Sequence, residues 1–215
     1  MKTSIKLAVF IISGFILCGY ALGSTDIKND NIKVSRSEYT NNEDVVGWLS
    51  IEGIKDFNFP VVKGDDNDFY LNHNYNKEEY KYGSVFMDYR VNIDSKKVLI
   101  YGHSSKQQTT YFNSLENFST KSYYDKHKYI YFKDNKVNYK YEIFSVYVAL
   151  EDFTYMNINI SNWYEHLTKL KNNSIYDTGI NVNEDDNILI LQTCSNDSKY
   201  EKYAKKYLLI IARRI

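Results

Sequence analysis

The sequence predicts a mainly β fold, either a barrel or a sandwich, built from short and mostly antiparallel strands. Seven strand-like runs support this, at residues 57–62, 84–88, 97–101, 128–132, 139–149, 188–193 and 207–212. Polar turns separate them, a spacing typical of all-β domains. No internal repeat is present.

Two helices are expected beside the strands. The first is predicted over residues 42–49, capped by Asn41 or Asn42, with inward-facing Val45, Val46 and Trp48. The second is predicted over residues 161–172, capped by Ser161, because Trp163, Leu167 and Leu170 recur at helical spacing.

Composition limits the protein to one ordinary globular domain with an extension. The chain has 215 residues, of which 43% are hydrophobic and 25% are charged. Its 27 basic and 27 acidic residues give a formal net charge of zero. The electrostatic pattern of a nucleic-acid-binding protein is therefore missing, and no nucleic-acid partner is expected.

The extension begins with an apolar segment at residues 1–23. Lys2 and Lys6 precede its apolar run, which barely reaches the length of a membrane-spanning helix. The segment is either a membrane anchor or a signal peptide, since residues 21–23 resemble a cleavage site. Both interpretations place the rest of the chain outside the cytoplasm. Residues 24–38 are predicted to be a polar linker, and residues 39–215 the folded domain.

Cys194 is the strongest candidate for chemistry. It is the only cysteine beyond the apolar segment, and it follows the strand-like run 188–193. A cysteine at this place is either buried packing or a nucleophile. A nucleophilic cysteine acts as a thiolate, and a neighbouring imidazolium lowers the thiol pKa and can protonate the departing amine.

His103 is the best candidate partner, because it lies just beyond the apolar strand 97–101, after Gly102, as Cys194 lies just beyond the run 188–193. Of the other histidines, His73 lies in a polar loop and His127 in a charged turn. His166 is expected to face solvent from the second helix. The histidines lack metal-site spacing, so neither a metal nor another cofactor is expected.

The segments that contain His103 and Cys194 resemble those of the sortases, and of class B sortases in particular. Residues 190–194 read Ile-Leu-Gln-Thr-Cys, close to the family's Thr-Leu-x-Thr-Cys motif at the end of a strand. The resemblance extends in order over segments 47–53, 59–62, 83–90, 100–103, 112–115 and 124–127, and over the helix predicted at 161–172.

The resemblance implies an eight-stranded β-barrel with an N-terminal helix and a helix inserted before the cysteine strand. It also implies a membrane-bound, extracytoplasmic transpeptidase with Cys194 as nucleophile and His103 as acid and base. Such enzymes cleave Asn-Pro-x-Thr-type sorting signals after Thr. They pass the protein from a thioester to a peptidoglycan amine of Gram-positive cells.

One family feature is missing. The third family residue is an Arg near the start of the last strand, but residues 195–207 contain no arginine. Lys205, Lys206 or Tyr207 falls at that place, and Lys206 is the preferred substitute. The alternatives are recruitment of Arg90, whose structural interpretation is a salt bridge, or reduced activity.

Two other functions therefore remain open. The first is a non-catalytic peptide-binding barrel that has lost activity together with the arginine. The second is a cysteine hydrolase that releases its product to water.

Overall fold

The computed structural model describes residues 42–215. The predicted apolar segment, the linker and the candidate cap Asn41 lie outside the described residues. Within 42–215, no helix combines the length and apolar character that crossing a membrane requires.

Eight strands of the described residues close into a barrel. They are β1 (Val45–Ile51), β2 (Asn58–Val62), β3 (Phe86–Met87), β4 (Lys97–Tyr101), β5 (Tyr129–Lys133), β6 (Asn138–Ala149), β7 (Ile188–Cys194) and β8 (Tyr207–Arg214). Their order around the barrel is β1-β2-β3-β4-β7-β8-β6-β5. The β2–β3 and β4–β7 pairs are parallel and the others antiparallel. The predicted barrel is confirmed, and the sandwich alternative is excluded.

The helix predicted over residues 42–49 is wrong, since β1 occupies most of that segment. Val45 and Val46 are β-branched and favour a strand, and β1 pairs with both β2 and β5. Gly47 permits this close packing. A Cβ atom there would come within 2.5 Å of the Phe132 ring. These long-range pairings override a helical pattern read from a few residues.

The helix predicted before the cysteine strand is confirmed as α2 (Trp163–Asn172). A shorter helix, α1 (Lys121–Tyr124), lies between β4 and β5. The side chain of Asn162, and not of Ser161, caps α2 by accepting a hydrogen bond from the Glu165 amide at 3.1 Å.

Two apolar clusters cover the two faces of the barrel wall. The inner cluster fills the barrel and includes Val98, Ile100, Leu189, Leu191 and Ile210. The outer cluster lies under α2 and includes Leu99, Tyr101, Ile190, Cys194, Leu167, Leu170 and Tyr207. Every residue of β4 and β7 is buried, so a shift of either strand by one residue would exchange the side chains of the inner and outer clusters and disrupt the packing of both.

His166 lies against the barrel and not in solvent, which corrects the expectation from the sequence. Its side chain is buried, and its Nε2 atom lies 3.3 Å from the Lys97 Nζ atom. Lys97 also donates to the Tyr155 carbonyl at 2.9 Å. Burial, with the charge of Lys97, lowers the pKa of His166 to about 4. Burial, with the charge of Arg90, lowers the pKa of Lys97 to about 7.

The free energy of unfolding should therefore rise with pH between about 4 and 6.5. In that window the unfolded chain binds a proton at His166 that the folded chain excludes, which is worth up to about 3 kcal/mol. Urea unfolding of the wild type and of His166→Gln at several pH values measures this. The wild type should gain stability relative to the variant as pH rises, and a difference independent of pH would contradict the assignment.

Candidate active site

The parallel pairing of β4 and β7 brings the two candidate reactive residues to one edge of the barrel. Tyr101 lies opposite Gln192 in this register. The Gly102 amide then donates to the Gln192 carbonyl at 3.2 Å, so the pairing continues past the end of β4. Extending the same register places position 103 beside position 194.

Cys194 is the last residue of β7 and is 6% exposed. Its antiparallel partner on β8 is Tyr207, which is buried beside it in the outer cluster. The Ser195 amide bonds to the Lys206 carbonyl at 2.9 Å, so the chain stays paired for one residue beyond the cysteine. The backbone on both sides of Cys194 is therefore held in place.

His103 follows β4 by two residues and is half-buried. Its Nε2 atom lies 2.9 Å from the backbone carbonyl oxygen of Leu71. The side chain of Leu71 packs against the outer cluster, which contains Cys194. A carbonyl only accepts hydrogen bonds, so this contact assigns the proton of the neutral ring to Nε2. Burial lowers the pKa of His103, and the Leu71 carbonyl offsets part of that effect.

Gly102 sets the path of the chain between β4 and His103. A Cβ atom at this position would lie 2.7 Å from the buried Phe112 ring. The Phe112 amide in turn donates to the His103 carbonyl at 3.1 Å. The missing side chain thus lets the segment after His103 fold back closely onto β4.

His73 and His127, expected in a polar loop and in a charged turn, make local contacts away from the candidate residues. His73 stacks on Phe69 with ring centroids 4.0 Å apart. His127 lies 2.8 Å from the Glu52 carbonyl. Neither contact involves Cys194 or His103.

Arg90 forms a buried ion pair, in agreement with the structural interpretation. Its guanidinium donates to both carboxylate oxygens of Asp88, at 2.8 and 2.6 Å. The Tyr101 hydroxyl donates to the same carboxylate at 2.7 Å. Burial alone would raise the pKa of Asp88, but these donors hold it below its usual value. This bidentate contact supports a structural role for Arg90 over that of a transition-state donor.

Lys206 lies next to the cysteine along the backbone, through the Ser195 amide that its carbonyl accepts. Its half-buried side chain makes a long contact, 3.4 Å, to the Tyr203 carbonyl. Lys205 is also half-buried. Of the three positions considered for the family arginine, Lys206 combines a positive charge with a direct backbone link to the residue after Cys194.

Sequence reasoning missed the Leu71 carbonyl, because a backbone acceptor carries no signal in the amino-acid pattern. It also missed the hydrogen bond that the Glu116 carboxylate accepts from the backbone amide of Asn196, two residues beyond Cys194. Among residues 42–215, no group of three His, Cys, Asp or Glu side chains is arranged to hold a metal ion.

A family comparison matches this arrangement. The model of the sortase domain matches residues 49–214. The chain belongs to the sortase family. Sortase B of Listeria monocytogenes is 34% identical over 166 residues, covering 75% of this chain and 67% of that protein. The chain is thus a sortase B-like cysteine transpeptidase. The resemblance to class B sortases that its sequence motifs indicate is confirmed.

Solved sortase B structures share the fold. That of Clostridium perfringens sortase B aligns with a TM-score of 0.73 at 30% identity, over 84% of this chain and all of that one. The Staphylococcus aureus sortase B–substrate complex aligns with a TM-score of 0.72 at 32% identity, over 83% of each chain. A sortase B complexed with triglycine aligns with a TM-score of 0.73 at 31% identity, over 83% and 84% of the two chains.

Replacing Arg90 with alanine should destabilise this sortase by about 3–5 kcal/mol, because the Asp88 carboxylate would stay buried without its partner. Urea unfolding measures the change. Lys121→Ala is the matched control, since its ion pair with Asp125 is about half exposed and should cost under about 0.5 kcal/mol. Equal effects of the two substitutions would contradict the structural role of Arg90.

Proposed function

We propose that the chain cleaves an Asn-Pro-x-Thr-type sorting signal after Thr and transfers the protein to a cell-wall amine through a thioester on Cys194. The single observation that supports this is the β4–β7 register, which is paired as far as Tyr101 and Gln192 and whose continuation would bring His103 beside Cys194, in a chain of the sortase family.

In the first step the Cys194 thiol passes its proton to the neutral His103, and the resulting thiolate attacks the carbonyl carbon of the threonine. A carbon–sulfur bond forms, and the carbonyl oxygen takes the negative charge of the tetrahedral intermediate. His103 donates its proton to the departing amine nitrogen as the peptide bond breaks, leaving a thioester and a neutral imidazole. In the second step an acceptor amine attacks the thioester, its proton passes to His103, and the thiolate leaves.

The negative oxygen needs a donor, and Lys206 is the residue we propose for it. Lys206 directly precedes β8, its backbone carbonyl accepts the Ser195 amide, and its side chain carries the positive charge that the proposal requires. It supplies a point charge where an arginine would offer a two-pronged guanidinium, so stabilisation of the intermediate should be weaker than in a sortase with arginine.

Membership of the sortase family supports the proposed partners and location. A sortase B has been solved with its substrate, and another with triglycine, which carries a free amine. We propose corresponding partners here, a sorting-signal peptide and an amine of the peptidoglycan precursor or cross-bridge. The N-terminal apolar segment would hold the enzyme at the outer face of the cell membrane.

The absence of an arginine from residues 195–207 favours a second candidate function, in which the barrel binds sorting peptides without cleaving them. It shares the fold and the peptide partner with the first proposal. It differs in predicting no covalent intermediate.

The reduced full-length chain, in detergent, should gain the mass of an acyl fragment when incubated with an Asn-Pro-x-Thr-type peptide. This gain in mass comes from the thioester formed at Cys194, and intact-mass spectrometry detects it. Adding triglycine should remove the adduct and release a peptide ligated to the amine. Products ligated to the amine distinguish a transpeptidase from a hydrolase.

Cys194→Ala and His103→Ala are the companion variants. Cys194→Ala should show no adduct, and His103→Ala should form it at least about 100-fold more slowly, a typical contribution of general acid–base catalysis. A folded, reduced wild type that binds the peptide without any adduct would support the binding barrel.

Lys206→Ala should lower kcat about 100-fold, as expected when one donor to the anionic oxygen is removed. Lys206→Arg should retain or raise kcat, because a guanidinium is the usual family donor. Steady-state transpeptidation kinetics measure both. Lys199→Ala is the control, since Lys199 is an exposed lysine of the same loop paired with Asp197. An unchanged kcat in Lys206→Ala would rule out this assignment.

A further inference from the structure

We propose that the 3-10 segment Asn113–Ser119 is a clamp that positions both reactive residues, with Glu116 as the positioning residue for Cys194. The proposal rests on the roles of Cys194 and His103 proposed above. It adds a residue that acts through hydrogen bonds to the chain beside the cysteine.

Glu116 holds the chain just after the cysteine. Its carboxylate accepts a hydrogen bond from the Asn196 amide at 2.5 Å and interacts with the Ser195 hydroxyl. Ser195 and Asn196 directly follow Cys194. The carboxylate therefore fixes the point where β7 ends and the loop to β8 begins.

Asn113 holds the chain just after His103. Its amide group exchanges two hydrogen bonds with the Ser105 backbone, at 2.9 and 3.0 Å, and donates to the Gln108 carbonyl at 2.8 Å. The Thr110 hydroxyl lies 2.8 Å from the His103 carbonyl and 2.5 Å from the Asn113 side-chain oxygen. The loop that follows His103 is thus folded around the Asn113 side chain.

Asn113 and Glu116 are three residues apart in a 3-10 segment, and this spacing puts their side chains on the same face. One short rigid segment therefore reaches both loops. The segment is itself anchored by Leu115 and Phe118, which are fully buried in the inner cluster.

A third contact joins the two loops directly. The Asn196 side chain donates to the Ser104 hydroxyl at 2.5 Å. Ser104 is the residue after His103, and Asn196 lies two residues beyond Cys194. Together the three contacts form a closed chain of hydrogen bonds, which fixes the position of the imidazole relative to the sulfur.

The first test compares Glu116→Ala with Glu116→Gln in the full-length, reduced enzyme. Glu116→Ala should lower kcat about 10-fold or more with KM changed less than about threefold, because a misplaced nucleophile slows chemistry more than binding. Glu116→Gln keeps an oxygen that accepts the Asn196 amide and should restore kcat to within about threefold of the wild type.

Asp134→Ala is the matched control. Like Glu116, Asp134 is a carboxylate that accepts hydrogen bonds from a loop backbone, here from the amides of Lys136 and Val137 in the turn between β5 and β6. Its loss should lower the melting temperature in the manner of Glu116→Ala while leaving kcat unchanged. Equal kcat values for Glu116→Ala, Asp134→Ala and the wild type would overturn the clamp, as would a Glu116→Gln variant as slow as Glu116→Ala.

The second test is a double-mutant cycle on Ser104 and Asn196. Ser104→Ala and Asn196→Ala should each lower kcat about threefold to 10-fold. The double variant should be no slower than the slower single one, because both substitutions remove the same hydrogen bond. Independent, multiplying effects would show that this contact does not join the two loops.

The alkylation rate of Cys194 with iodoacetamide gives a readout that needs no sorting peptide. Glu116→Ala should change that rate at least about fivefold, and Glu116→Gln should not. If the wild type forms no acyl adduct, the proposed function fails and the alkylation rates still decide the clamp. If the wild type turns over normally and neither kcat nor alkylation responds to Glu116→Ala, the clamp alone fails.

Discussion

Parallel pairing of β4 with β7 is the constraint on which the site depends, because it brings the ends of two strands far apart in sequence to one edge. Both strands are buried on both faces. A shift by one residue would turn the apolar side chains of the inner cluster toward the outer one and reverse the direction of the cysteine side chain. The packing that stabilises the barrel therefore also fixes the register of the two strand ends that lead to His103 and Cys194.

Buried polar groups under the outer face add a second constraint. The Asp88 carboxylate accepts three side-chain hydrogen bonds, two from Arg90 and one from Tyr101. The Lys97 ammonium contacts the Tyr155 carbonyl and His166. Such groups are costly to bury, and removing one partner costs more than the pair contributes. The contacts of Lys97 therefore favour one position of Tyr155 and of helix α2 over β4. The guanidinium of Arg90 is engaged in that packing through its bidentate contact with Asp88.

Much of this arrangement could be read from the sequence, because the signals were local. The strand at residues 97–101 was predicted with its observed bounds, since a short apolar run between polar turns suits only a buried strand. Placing His103 and Cys194 after two such strands relied on the same signal. The first strand was predicted as a helix because its partners, β2 and β5, lie elsewhere in the chain. His166 was misplaced because its contact with Lys97 spans 69 positions. Glu116 gave no signal, since it acts on a backbone amide.

The most direct test of the account is the pH dependence of Cys194 alkylation by iodoacetamide in the reduced full-length chain, compared with His103→Gln. Burial lowers the pKa of His103, so the wild-type profile should show an inflection below pH 6.5 where the imidazole changes charge beside the thiol. The variant should lack that inflection and keep only the titration of the thiol. Identical profiles in the two proteins would show that His103 does not act on Cys194, and would contradict the juxtaposition on which the account depends.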